Sequence, residues 1–320
     1  MFVATAAVVG MMIVAQSTAA AQPARAPRAP ETDQTVQVTR GTRLSVNNFA
    51  GEVVIKGWEK DAVRVQGRHP SRARVAIRTS TPGVVAVSAS SQGAPGSVDY
   101  EINVPAWMPV KVEGTYIYIA VEGTQAEVTA ETVRGDISIK GGSGFVTAKS
   151  IEGEVMLENV RGRVNASSVN EGVSVNGATG DVAAESTNGN ITLLNIESSS
   201  VDVGTINGNI RYDGSAANNG RYSFASHNGN ITVGVPETAS ATFNVRTYNG
   251  SVSTGGLPVQ GAGDARRGRR AIYTLGSGSA EFELESFGGT VALRKRGTVG
   301  APAPRGKDKD KDRDDDAEVR

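Results

Sequence analysis

Through the middle of the chain, apolar and polar residues alternate in short segments punctuated by glycine. Ile137 and Ile139 flank Ser138, and Val146 and Ala148 flank Thr147. A period of two puts successive side chains on opposite faces, which predicts strands with one buried face. The segments recur in register. A unit Ser/Thr-x-x-Gly-x-Ile/Val fills residues 132–137, 150–155, 186–191, 205–210, 226–231, 247–252 and 286–291, with a degenerate copy at 168–173. Its glycines are Gly135, Gly153, Gly189, Gly208, Gly229, Gly250 and Gly289, with Glu171 in the slot of the degenerate copy. Successive slots are 18, 18, 18, 19, 21, 21 and 39 residues apart. The last interval is close to twice the one before it and holds either a degenerate coil or a long insertion.

A second half-unit runs in phase with the first. Val128, Val146, Val164, Val182 and Val201 recur at the same successive intervals as slots 135, 153, 171, 189 and 208. Ile119 precedes Ile137 by one such period, so the array is expected to begin near Thr115. Two strands and two or more turns per period, repeated in register, predict an all-β chain. Its architecture is a parallel β-helix or β-solenoid-like stack of 18–21-residue coils. The competing reading is a β-sandwich or antiparallel meander built from strand–turn units of half that length.

The residue choices suit such a stack. One coil cannot bury its apolar face, but identical coils about 4.8 Å apart share a continuous core. β-Branched Ile and Val pack well on a pleated surface. Gly at each corner is expected to serve a positive φ. Asn170, Asn188, Asn207, Asn228 and Asn249 all stand just before the Gly slot, where stacked amides form a ladder. Nine motif coils between Ile119 and Val291 predict roughly 43 Å of stack at that rise.

The flanks read differently. Residues 35–112 alternate without the period and are expected to form a β-rich N-terminal cap or subdomain, since an open end coil exposes strand edges. Residues 113–296 hold the solenoid. Residues 1–21 form an apolar run ending in Ala19-Ala20-Ala21, the pattern of a signal peptide, although no Lys or Arg precedes the run. The apolar part, positions 2–15, is short for a membrane span, and no other long apolar stretch follows, so the mature chain is expected to lack a transmembrane segment. Residues 22–34 are a Pro/Ala/Arg linker. Residues 297–320 end in the mixed-charge sequence GKDKDKDRDDDAEVR, a solvated tail.

Composition narrows the chemistry. The chain of 320 residues carries 39 Gly, and aromatics are only 5%, which fits a thin, turn-rich coil better than a thick core. Lys plus Arg and Asp plus Glu are both 33, so no global charge favours nucleic acid. Without Cys there are no disulfides, thiolate nucleophiles, lipoprotein anchor or Cys-based metal sites.

The segments 48–58 (NFAGEVVIKGW), 61–65 and Ile102-Asn103-Val104-Pro105, followed by the Ser/Thr-x-x-Gly-x-Ile/Val array, resemble a bacterial family of exported β-strand-repeat proteins described as candidate adhesins and otherwise of unknown function. The resemblance spans about residues 35–296. It implies a β-solenoid fold, export and a surface-interaction role, with no catalytic motif to carry over. Related domains are similar to parts of envelope-stress systems, which keeps a sensor or scaffold role open.

Candidate chemistry is sparse. His227 sits in a corner position filled elsewhere by Val133, Ile151, Val169, Thr187, Ile206, Tyr248 and Phe287, and reads as structural. His69 lies in a basic loop and reads as solvated. Residues 141–146 begin like a calcium-binding nonapeptide but place Val146 where Asp is required. Asp308, Asp310, Asp312 and Asp314 alternate without the central Gly of a calcium loop. Asp136, Glu154, Asp181 and Glu127 read as surface acids near strands. The cluster Arg266, Arg267, Arg269 and Arg270 could dock on an anionic envelope polymer. No cofactor or metal is expected, and the partner is an unidentified envelope polysaccharide or surface protein. These residues predict an exported, non-enzymatic surface-binding protein. Its rivals are an envelope-stress sensor or scaffold and, less favoured, a β-helix polysaccharide lyase or hydrolase.

Overall fold

The computed structural model describes residues 31–91, 93, 95–261 and 270–297. The expected signal peptide, most of the linker, the charged tail with its four alternating Asp, and Arg266, Arg267 and Arg269 lie outside the described residues.

Each repeat folds into two strands that join two separate parallel ladders. The first ladder runs through β8 (Val128–Arg134), β10 (Ser143–Glu152), the second half of β11 (Val155–Ser168), β13 (Val182–Ser186), β15 (Ser200–Thr205) and β17 (Arg221–Ser226). The second runs through β9 (Ile137–Gly141), the first half of β11, β12 (Val173–Thr179), β14 (Ile191–Glu197), β16 (Ile210–Gly214) and β18 (Ile231–Val235). Register is one repeat throughout, Val128 on Val146 on Val164 on Val182 on Val201, so the sequence period is the pairing register. This is the solenoid predicted from the pattern. Both ladders feed one contiguous core, in which Ala148, Ala166 and Ala184 from the first are as buried as Leu157, Val175 and Leu193 from the second.

The core is not uniformly thin. In the later coils Tyr222, Phe282 and Phe243 take the position that Val182 and Val201 hold in the earlier ones, and their rings pack together, with centroids 4.2 Å apart for the first pair and 4.8 Å for the second. Tyr212 packs beside them, and its hydroxyl donates to the Ser215 carbonyl at 2.6 Å. The longer spacing from Gly208 to Gly229 includes the corner that receives both tyrosine hydroxyls, since Tyr222 OH also accepts the Ala217 N–H at 2.7 Å.

Both ends depart from chain order in the same way. At the start, β2 (Arg43–Trp58) lies between β7 (Val110–Thr124) on one side and β5 (Val84–Ser91) with β6 (Asp99–Pro105) on the other. The parallel stack therefore starts at Arg43, ahead of the periodic segment. Antiparallel β4 (Ala73–Arg78) covers β5, β3 (Ala62–Arg68) covers β6, and β1 (Thr32–Gln37) covers β3. At the other end, β22 (Ala280–Ser286) and β23 (Val291–Lys295) insert between the β17/β18 coil and the coil of β19 (Ala241–Thr247) and β20 (Val252–Ser253). The long interval from Gly250 to Gly289 carries β21 (Arg270–Leu275), which runs antiparallel on β19 and adds no parallel coil. Counting the β2 and β5/β6 coils beside the nine motif coils, the stack has eleven.

The glycines of the motif do a different job from the one expected. Of the seven, only Gly135 has positive φ (132°). The reason for the rest is proximity. A Cβ on Gly208 would lie 2.1 Å from the Gly189 carbonyl oxygen, and one on Gly229 would lie 1.9 Å from that of Gly208. Bare backbone is what lets one corner stack on the next. The Ser/Thr of each unit is buried and satisfies that same corner. Ser226 Oγ donates to the Gly208 carbonyl at 2.9 Å, Ser168 Oγ does so to Gly153 at 2.9 Å, and Ser286 Oγ accepts the Gly289 N–H at 2.9 Å.

Candidate functional site

The corner joining the first ladder to the second presents two parallel columns to solvent. The residue after each buried Ser/Thr points outward. In stack order these residues are Val133, Ile151, Val169, Thr187, Ile206, His227, Phe287 and Tyr248. The apolar members are 37–50% exposed, so the column is an apolar stripe on the surface. It ends in an aromatic run, in which His227 stacks on Phe287 at 4.8 Å and 10° and Phe287 meets Tyr248 at 5.0 Å.

The second column lies one residue further along. It opens with Tyr116, over which the Arg134 guanidinium sits 5.7 Å from the ring centroid. Phe49 meets the same ring edge-on at 5.5 Å. Arg134 pairs with Glu152, whose hydrogen bond holds the guanidinium above the usual arginine range. From there the column is amide. Asn188 Nδ2 donates to Asn170 Oδ1 at 3.2 Å, Asn207 Nδ2 to Asn188 Oδ1 at 2.9 Å, and Asn228 Nδ2 to Asn207 Oδ1 at 2.8 Å. The ladder expected to continue to Asn249 stops at Asn228. The inserted β22/β23 coil brings Gly288 to that place, so Asn249 stands one coil further on.

A second polar row, not anticipated from sequence, follows the glycine slot. Asp136 Oδ1 accepts the Glu154 N–H at 2.8 Å, Asn190 Oδ1 that of Asn209 at 2.8 Å, Asn209 Oδ1 that of Asn230 at 2.9 Å, and Asn230 Oδ1 that of Thr290 at 2.8 Å. Asp136 is thereby engaged in stacking. Asp181 lies 3.7 Å from Arg163, an exposed pair.

The other candidates fall elsewhere. Arg270, the only member of its cluster among the described residues, begins β21 opposite Arg246 and lies 3.6 Å from Glu283. His69 is not solvated as expected. Its side chain is 9% exposed, with Nε2 2.9 Å from Thr32 Oγ1 and Nδ1 3.6 Å from Glu31, because β1 folds over β3. Among the described residues no group of three or more His, Cys, Asp or Glu is arranged to hold a metal. No described helix is long and apolar enough to cross a membrane.

Comparison with known proteins places this geometry in a family context. The profile of the family described as Toastrack DUF4097 matches residues 41–294. No curated protein matches the chain. Among solved structures, a candidate cell adhesion protein from Clostridium sporogenes ATCC 15579 is 12% identical, over 83% of this chain and 99% of its own, with a TM-score of 0.26. A candidate adhesin from Parabacteroides distasonis ATCC 8503 is 9% identical over 82% and 96%, with a TM-score of 0.48.

Proposed function

The chain belongs to the Toastrack DUF4097 family, and from that premise we propose that it is an exported, non-enzymatic binding protein of the bacterial envelope that grips an extended polymer along its exposed corner. One observation carries this reading. An apolar stripe over eight coils from Val133 to Tyr248 runs, in register, beside a column that is amide from Asn170 to Asn228 and again at Asn249. Exposed apolar patches rimmed by polar groups mark interaction sites, because burying them on a partner releases water from both surfaces. A linear, repeating surface fits a linear, repeating ligand, and envelope polysaccharide supplies one. Of the acids considered for cleavage chemistry, Asp136 accepts the Glu154 N–H and Asp181 lies 3.7 Å from Arg163.

The test is retention of the full chain on immobilised envelope polysaccharide. Replacing Ile151 and Ile206 by Ser should lower retention at least about tenfold, the equivalent of about 1.4 kcal/mol. The matched change Ile272→Ser, on β21 and 47% exposed, should leave it intact. Equal loss in both variants, or release of new reducing ends from the polymer, would overturn the reading.

A further inference from the structure

The amide row lacks one rung. In the row, each Asn donates from Nδ2 to Oδ1 of the Asn one coil before it, as Asn228 does to Asn207. The coil after Asn228 brings Gly288, which has no side chain, and Asn249 follows in the coil beyond. The backbone keeps the register of the row across this break. Gly288 N–H reaches the His227 carbonyl at 2.9 Å, and Asn249 N–H reaches that of Phe287 at 3.0 Å. Among the described residues, Asn228 Oδ1 therefore accepts from no donor, and the Asn249 amide has no side-chain partner. Asn228 Oδ1 faces the bare Gly288, where a Cβ would lie 3.6 Å from it, and beside Gly288 and Asn249 opens a notch of about 520 Å³ that Asn230, Tyr248 and Thr290 also line.

We propose that this notch binds the acetamido group of an N-acetylated amino sugar, whose amide takes the missing rung. The ligand N–H donates to Asn228 Oδ1, and its carbonyl accepts from Asn249 Nδ2. Two coil spacings of about 4.8 Å separate the two asparagines, which leaves room for one amide at the spacing of the row itself. Tyr248, which borders both this notch and the neighbouring aromatic recess with His227 and Phe287, offers its ring to the methyl group and the apolar face of the sugar. No Lys or Arg lines the notch, so a neutral ligand fits it better than an anion. A peptide amide is disfavoured because strand addition needs an unpaired edge, and the corner backbone here is already bonded from coil to coil. The proposal rests on the corner being a polysaccharide-binding surface and adds the ligand class.

Titration calorimetry of the full chain with a soluble oligomer of N-acetylglucosamine, and with a glucose oligomer of equal length, tests it. The acetylated oligomer should bind at least tenfold more tightly than the glucose oligomer. Gly288→Asn should fill the rung from the protein side and weaken binding at least tenfold without lowering the thermal midpoint. It is sterically admissible, since a Cβ there would lie 3.5 Å from the His227 carbonyl oxygen in ordinary contact. Asn249→Asp, which keeps the shape and removes the donor, should weaken binding as much. Unchanged affinity in Gly288→Asn, equal affinity for the two oligomers, or equal competition by an acetyl-blocked peptide would each overturn the proposal. If polysaccharide retention still depends on Ile151 and Ile206 while Gly288→Asn changes nothing, the acetamido site falls and the broader reading stands. If the oligomer binds in a Gly288-dependent way while Ile151 and Ile206 prove irrelevant to retention, the reverse holds.

Discussion

Gly208→Ala is the substitution that most directly tests why this sequence stacks. The added Cβ would stand 2.1 Å from the Gly189 carbonyl oxygen, 2.7 Å from its carbon and 3.0 Å from Thr205 Oγ1. The first two are backbone atoms and cannot swing aside. To reach ordinary contact at 3.4 Å the two corners must separate by more than an ångström. Three of the hydrogen bonds that bridge the same gap sit closest to the strained contact: Asn207 N–H to the Thr187 carbonyl at 2.8 Å, Thr205 Oγ1 to that of Gly189 at 3.1 Å, and Asn209 N–H to Asn190 Oδ1 at 2.8 Å. At about 1 kcal/mol net for each, together with about 1–3 kcal/mol for overpacking, the change should destabilise the chain by about 4–6 kcal/mol.

Gly204→Ala, in the strand that leads into the corner at Thr205-Ile206-Asn207, is the matched control. A Cβ there meets nothing within 4 Å and the backbone φ is not positive, so the change should be neutral or stabilising by up to about 1 kcal/mol. Urea unfolding followed by circular dichroism reads the two side by side, with a lowered midpoint expected for Gly208→Ala alone. Amide exchange should localise its loss of protection to the coils of Gly189 and Gly208. Similar midpoints for the two variants would refute close approach as the reason for the motif glycine.

Three further outcomes follow from the same geometry. Ser226→Ala removes a buried hydroxyl that donates to the Gly208 carbonyl, and should destabilise by about 1–3 kcal/mol in chemical denaturation. Phe282→Ala opens a cavity between the Tyr222 and Phe243 rings and should destabilise by about 3–5 kcal/mol, with loss of the near-ultraviolet signal of the aromatic stack. Mass spectrometry of the protein exported from its host should find a mature N-terminus at Gln22, whereas a retained residue 1 would remove export from the proposed function.

Much of the architecture could be read from spacing, because in a parallel stack the repeat length and the pairing register are one quantity. Val146 lies one period after Val128 and pairs with it. The corner position of His227 was legible for the same reason. Its exposure was not, since alternation alone does not say on which side of a corner a residue emerges. The role of glycine was misread because positive φ and close approach leave the same mark in a sequence, and only the neighbouring backbone separates them. The buried Ser/Thr row was visible as the first residue of every unit. A polar residue recurring beside β-branched core positions signals a carbonyl that must be satisfied. His69 escaped because its cover, β1, arrives from 37 residues away in sequence.

The ends were the least legible, and the proposed acetamido notch lies at one of them. A periodic pattern reports which coil resembles which, but it assumes that neighbours in sequence are neighbours in space. At each end that assumption fails, because an antiparallel excursion lets the chain return and place a coil out of order. At the N-terminal end the excursion hides the first coils from the period. At the C-terminal end it moves the coil of Gly289 beneath that of Gly250, which turns five asparagines in sequence into four bonded amides, a gap and a fifth. Had the coils stacked in chain order, Asn249 Nδ2 would have met Asn228 Oδ1 and lengthened the row by one rung. The reordering leaves an acceptor and a donor facing each other across one empty rung. A stack of identical coils has no preferred place for a ligand to start, and this defect supplies one beside its most aromatic surface.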